Sequence, residues 1–243
     1  MTVLVKIAFD GTNYHGFQIQ DNALSVFAVF QQALIKVLGY QTDIKGCSRT
    51  DSGVHASCYY LSFEVKEPMD LRKLPLSLNA NLPLDIRAID ARQVSDGFHA
   101  RYDAKAKEYT YNILNSHVDS PFFGRYYYRV PSALNVEQMN RAAQYFVGTH
   151  DFESFMTRKS KIVDCTRTVY YAKVEQKGEM ISFVVKADGY LYNMVRIMVG
   201  TLIKVGRGQL LPEEIDRIIL SKNRDMAGVT VPPQGLFLTG VTY

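Results

Sequence analysis

The sequence predicts an α+β protein built from two ferredoxin-like (RRM-like) units, each running strand, helix, strand, strand, helix, strand, with antiparallel sheets flanked by helices. Three observations lead there. Apolar residues alternate at Val3, Val5, Ile7 and Phe9, the period of a strand, and then recur at helical spacing from Val26. Cap and turn residues separate such runs. The same order of signals returns after residue 105 without a visible sequence repeat, so the duplication is one of topology.

In the first half, Asp10-Gly11 breaks the opening strand. Ser25 is an N-cap for a helix carrying Val26, Val29, Phe30, Ala33, Leu34, Val37 and Leu38, and Gly39 closes it. A short strand is expected over 42–47. The polar stretch 48–55 follows, then a strand marked by Tyr59, Leu61, Phe63 and Val65. A helix over 70–78, despite Pro75, and a strand over 85–94 complete the unit.

The second half opens with a strand over 105–114, with Tyr109, Tyr111 and Ile113 on one face. Asn135 caps a helix whose Val136, Met139, Ala143 and Phe146 share a side, and Gly148 is its expected terminator. Residues 167–176 and 180–187 form a hairpin around Lys177-Gly178. Helices over 193–205 and 212–221, with Pro212 in the first turn, precede a closing strand over 236–243. The units are expected at 1–104 and 105–243, with a cleft between them where ligands favour binding.

Composition narrows the function classes. The net charge of +4, from 28 basic against 24 acidic residues, permits a polyanionic partner without requiring one. No apolar run reaches membrane-spanning length, so no membrane is expected as partner. The N-terminus alternates like a strand and lacks the layout of a signal peptide, which makes the cytoplasm the expected compartment. Cys47, Cys58 and Cys165 are too few and odd in number for a disulfide framework. The spacing of Cys47, His55 and Cys58 fits no familiar zinc site, so buried or free thiols are expected and no metal.

The segment Gly46-Cys47-Ser48-Arg49-Thr50-Asp51-Ser52-Gly53-Val54-His55-Ala56 joins two expected strands and should form a loop at a sheet end. Asp-Ser-Gly is also ordinary turn chemistry, and Arg49 taken alone is equally a solvated surface charge. Arg49-Thr50-Asp51-Ser52-Gly53-Val54-His55-Ala56 resembles the active-site motif of the tRNA pseudouridine synthase A family. The resemblance continues through Phe9-Asp10-Gly11, Tyr14, Gly16-Phe17-Gln18, Asn81-Leu82-Pro83, Asp85-Ile86, Phe98-His99-Ala100-Arg101, Tyr109 and Tyr111. It extends through His150-Asp151-Phe152, Phe155, Gly189-Tyr190-Leu191-Tyr192-Asn193-Met194-Val195-Arg196, Gly200-Thr201-Leu202, Pro232-Pro233 and Gly235-Leu236. Six or more pieces in the right order make it specific over nearly the whole chain. Three positions depart from the family's pattern: Ser48 for Gly, Phe17 for Trp and Phe27 for Gln.

The resemblance implies isomerisation of uridine to pseudouridine in the tRNA anticodon stem-loop, at positions 38, 39 and 40, by a homodimer without metal or cofactor. Breaking the bond from ribose C1′ to uracil N1 and rejoining through C5 needs no redox step. It needs a group that manages an electron-poor sugar carbon, which a carboxylate does by covalent capture or by charge stabilisation. The resemblance assigns that role to Asp51 and leaves open attack at C1′, attack on the ring, or assistance to glycal formation. It points to Arg196 as the guanidinium that keeps the carboxylate ionised, and to Tyr109 as a ring that stacks on uracil and a hydroxyl that moves a proton. Arg196 interrupts the apolar run 194–199, where an arginine needs a partner more than most. Tyr111 takes a packing role. The target base must leave its stack; Arg49 could fill the vacated space or bind a phosphate, and Arg101 is a second phosphate candidate. His55 and His99 are expected to fix loops by hydrogen bonds. Arg158-Lys159-Ser160-Lys161 reads as an RNA contact or as a solvated face. A non-catalytic RNA-binding module and an Asp-based glycosidase remain the alternatives; the joint presence of Asp51, Tyr109 and Arg196 weighs against the first, and the lack of an evident second acid against the other.

Overall fold

In the computed structural model, which describes residues 1–20, 23–157 and 162–243, the chain forms a mixed α+β fold. It divides into two units, Met1–Lys105 with Phe237–Tyr243, and Ala106–Leu236. The basic stretch 158–161 lies outside the described residues.

The first unit contains β1 (Thr2–Phe9), α1 (Val26–Leu38), β2 (Lys45–Gly46), β3 (His55–Glu64), α2 (Leu74–Asn79) and β4 (Ile86–Val94). β1 is antiparallel to β3 on one side and to β4 on the other, and β2 is antiparallel to β3. The apolar alternation of β1 buries Val3, Val5, Ile7 and Phe9; Leu4 is buried as well, so the start of the strand is covered on both faces. α1 begins as its caps dictate. The Ser25 side chain accepts the Ala28 N–H at 3.2 Å, and Gly39, at φ 79°, returns its N–H to the Ile35 carbonyl. Its buried stripe is Val26, Phe30, Ala33 and Leu34. Replacing a ring such as Phe30 by alanine would cost about 3–5 kcal/mol.

The helix expected from residue 70 begins at Leu74 because the Asp70 carboxylate takes the Arg72 N–H at 3.1 Å and holds a turn there. Pro75 falls in the first turn of α2, where its missing N–H costs nothing. The strand expected over 42–47 is only two residues long, and β3 starts at His55, earlier than its aromatic residues suggest.

The second unit contains β5 (Ala106–Leu114), β6 (Tyr128–Arg129), α3 (Val136–Gln144), β7 (Gly148–Asp151), β8 (Thr166–Lys177), β9 (Met180–Ala187), α4 (Met194–Gly206) and α5 (Glu214–Ser221). Its strands run β5-β9-β8-β7, each antiparallel to its neighbour, with β6 parallel to β5. Asn135 caps α3 by accepting the Gln138 N–H at 3.0 Å. The helix stops at Gln144 rather than at Gly148, whose φ of 116° opens β7 instead. The hairpin between β8 and β9 turns through Gly178 at φ 61°. The core holds Phe146, Phe152, Phe155 and Phe183, all fully buried, with Phe146 edge-on to Phe155 at 5.2 Å between ring centres.

The last strand, β10 (Leu236–Thr242), sets Phe237 and Leu238 parallel to His55 and Ala56 of β3. Cys47, Cys58 and Cys165 are buried, and none of them is in a disulfide. Among the described residues no helix is long and apolar enough to cross a membrane.

Candidate active site

Asp51 lies in the loop between β2 and β3, half-buried, next to buried Thr50 and exposed Ser52. The loop is pinned at successive points by the segment after β1. The Phe17 N–H donates to the Thr50 carbonyl at 3.3 Å, and the Gly53 N–H donates to the Tyr14 carbonyl at 3.1 Å. A turn bond from the Val54 N–H to the Asp51 carbonyl, 3.2 Å, closes the bend around the carboxylate-bearing residue. Two glycines permit the approach. A β-carbon on Gly11 would lie 1.9 Å from the Val54 carbonyl oxygen, and one on Gly16 would lie 2.3 Å from that of Thr50.

Side chains brace the same loop. Tyr59 on β3 donates its hydroxyl to the Ser48 carbonyl, accepts the Ser48 N–H at 3.3 Å, and stacks on Phe17 at 4.3 Å between ring centres. The Tyr14 hydroxyl donates to Asp85 Oδ1 at 2.7 Å. Burial, and then the hydrogen bond to Asp85, raises the Tyr14 hydroxyl well above the ordinary tyrosine range, so it stays a proton donor. His55, fully buried, accepts the Gly11 N–H on Nδ1 at 2.9 Å, which is the loop-fixing role expected of it. Among the described residues, Thr50 Oγ1 is the one buried side-chain polar atom without a hydrogen-bond partner.

Arg49 is exposed two residues before Asp51. Arg101 is exposed too, on a turn that His99 organises by accepting the Arg101 N–H on Nδ1 at 3.1 Å. Its guanidinium lies 5.7 Å from the ring centre of exposed Tyr102. Asp51, Arg49 and Arg101 thus all belong to the first unit.

Tyr109 and Arg196 belong to the second. Tyr109 is buried in β5, edge-on to Tyr190 at 5.0 Å. The Tyr190 hydroxyl donates within reach of the Lys107 and Val185 carbonyls, 3.0 and 2.9 Å away, which fixes the ring that Tyr109 meets. Tyr111 has the packing role expected of it. It is fully buried, its hydroxyl donates to the Pro232 carbonyl at 2.7 Å, and burial raises its pKa above the ordinary tyrosine range.

Arg196 sits in the first turn of α4, a helix buried at every position except Arg196 and Lys204. Its Nε donates to the Val231 carbonyl at 2.8 Å and a terminal nitrogen donates to Asn193 Oδ1 at 2.7 Å. Asn193 takes a left-handed φ of 63° at the helix start and also bonds Thr157 at 2.8 Å. Gly200 lets the following segment come close, since a β-carbon there would lie 1.9 Å from the Val229 carbonyl. The Gly228 N–H donates to Thr201 Oγ1 at 2.8 Å. The guanidinium plane is therefore fixed by two donors at different nitrogens.

A family model described as tRNA pseudouridine synthase matches residues 6–103 and 142–243. The chain belongs to the tRNA pseudouridine synthase family. It is 44% identical, over 99% of both chains, to the tRNA pseudouridine synthase A of Thermoanaerobacter sp. strain X514. It is 41% identical to that of Clostridium acetobutylicum, again over 99% of both, and 43% identical to that of Moorella thermoacetica over 98% of both.

The motifs of this pseudouridine synthase had singled out Gly11, Tyr14, Gly16, Asp85 and Asn193 without giving them tasks. The fold gives them tasks: the first four hold the Asp51 loop or brace what holds it, and Asn193 orients Arg196. The Val231 carbonyl, which also orients Arg196, had no side-chain signal by which it could be found.

Proposed function

We propose that this tRNA pseudouridine synthase isomerises uridine to pseudouridine at positions 38, 39 and 40 of the anticodon stem-loop, with Asp51 as the catalytic carboxylate. The observation that carries the reading is the Asp51 loop itself. Main-chain hydrogen bonds at Thr50, Gly53 and Val54 fix the backbone on both sides of a half-buried carboxylate. Such preorganisation suits a group that must meet one sugar carbon.

In the reaction the C1′–N1 bond breaks and a C1′–C5 bond forms. The C5 proton leaves, N1 gains a proton, and no electrons are transferred overall. Asp51 stabilises or captures the electron-poor C1′, or serves the ring or glycal route. Tyr109 stacks on the uracil and its hydroxyl moves a proton. Arg196 supplies the positive charge that favours an ionised carboxylate. Arg49 and Arg101 contact the RNA, Arg49 filling the space left by the flipped base or binding a phosphate. The reaction needs no cofactor or metal.

In the first unit β1, α1, β2, β3 and α2 follow one another and β3 is antiparallel to β1; in the second, with β6 and β7 as additions, β5, α3, β8, β9 and α4 keep that order and β9 is antiparallel to β5. This supports two ferredoxin-like units related by topological duplication. A homodimer acting in the cytoplasm completes the reading, and sedimentation of the purified protein tests the dimer.

The deciding experiment follows tritium release from C5 of labelled uridine in a tRNA transcript. Asp51→Ala should abolish release and leave tRNA affinity largely intact. Native turnover by that variant would remove Asp51 from the chemistry.

A further inference from the structure

We infer that His55 is a positioning residue for Asp51, acting through a neutral Nδ1 that holds the turn after β1 against the exit of the Asp51 loop. The inference rests on the reading of Asp51 as the catalytic carboxylate.

His55 is the first residue of β3, four residues after Asp51, and has no exposed surface. Its ring stacks on Phe237 at 4.6 Å with 22° between the planes, so the imidazole has little freedom to turn. Nδ1 lies 2.9 Å from the Gly11 nitrogen and 3.1 Å from Asp10 Oδ1. A ring nitrogen has one in-plane orbital, so it cannot accept from Gly11 and donate to Asp10 at once. The Gly11 N–H can only donate, and the Asp10 carboxylate already accepts the Thr12 N–H and hydroxyl at 2.9 and 2.6 Å. The lone pair therefore belongs to Gly11, and the imidazole is neutral with its proton on Nε2.

The consequence reaches the loop through Gly11. That residue is pressed so closely on the Val54 carbonyl that it has no room for a β-carbon. Val54 in turn donates its N–H to the Asp51 carbonyl at 3.2 Å. The chain of contacts His55, Gly11, Val54, Asp51 thus runs from a ring locked in the core to the backbone of the carboxylate. Losing the acceptor would leave a buried N–H unsatisfied and release Gly11 from its place, and Asp51 would shift with it.

Three substitutions separate the acceptor from the ring. His55→Asn places an amide oxygen near the Nδ1 position. His55→Phe keeps a stacking ring without an acceptor. His55→Gln is polar but carries its end group beyond that position, and it serves as control should the phenylalanine variant fold poorly. Steady-state kinetics on the tRNA transcript would be read beside thermal melts and tRNA affinity. His55→Phe and His55→Gln should lower kcat by about 100-fold, the scale of a displacement near 1 Å. KM should stay within about twofold, because binding is not what the loop position controls. His55→Asn should recover most of the lost rate.

Native kcat in folded His55→Gln would overturn the inference, and so would equal impairment of His55→Asn and His55→Gln, or a loss confined to KM. An active Asp51→Ala variant would instead remove the underlying reading. An inactive Asp51→Ala beside fully active His55 variants would remove the His55 role alone.

Discussion

The Thr50 carbonyl oxygen lies 2.3 Å from the point where a β-carbon on Gly16 would stand. Gly16 also has φ 82°, a conformation that costs an L-residue about 1–2 kcal/mol. Gly16→Ala should therefore destabilise the protein by at least that amount and push Thr50, and Asp51 after it, out of place. Thermal melts and tritium-release kinetics check this; a variant with native stability and native kcat would show that the loop does not depend on the close approach.

Thr50 carries a buried hydroxyl without a partner among the described residues. An unsatisfied buried hydroxyl costs about 1–3 kcal/mol, so Thr50→Val, of nearly the same shape, should stabilise the fold by up to that amount. Turnover should be unchanged. Urea unfolding gives the sign directly, and a loss of activity with a gain in stability would assign the hydroxyl to substrate.

Tyr14→Phe removes the hydroxyl that donates to Asp85. In the folded chain that hydroxyl holds its proton above its ordinary value of 10.0 because of burial and the Asp85 bond. The raised pKa contributes stability that is fully present below the unfolded value and is lost as pH climbs from there through the folded one. The native protein should thus exceed Tyr14→Phe in stability at neutral pH, and the gap should narrow above pH 10.0. Unfolding midpoints of both proteins across that window provide the check, and a gap that widens with pH contradicts it.

Arg196→Lys should impair turnover and stability together. Arginine reaches the Val231 carbonyl and Asn193 Oδ1 from two nitrogens of one plane, and lysine has a single nitrogen. Losing one charged hydrogen bond costs about 1–3 kcal/mol. Kinetics with native kcat would show that the planar fork is dispensable.

The local elements were legible because their signals are local. Ser25 and Gly39 bracket α1, Asn135 starts α3, and Gly178 turns the β8–β9 hairpin, each through bonds within a few residues. β6 and β7, two and four residues long, are too short to show a period and were not foreseen. The end of α3 was misplaced because Gly148 serves a strand rather than a helix.

At the candidate site, the position of the Asp51 loop between two strands could be read from the chain, and the family motifs marked its neighbours. The forces that hold it could not. Tyr14 meets the loop through its carbonyl oxygen, and Val231 meets Arg196 the same way across 35 residues.

The sequence alone determined the strand and helix types, most caps, the family, and the loop that bears Asp51. Tertiary structure alone decided what presses on that loop: Gly16 against Thr50, Gly11 against Val54, and His55 bonded to Gly11. The difference is physical. Periodicity and capping are written in side chains near one another in the chain, whereas every residue has the same carbonyl and almost every one the same N–H, so main-chain contacts between distant segments leave no mark until the chain has folded.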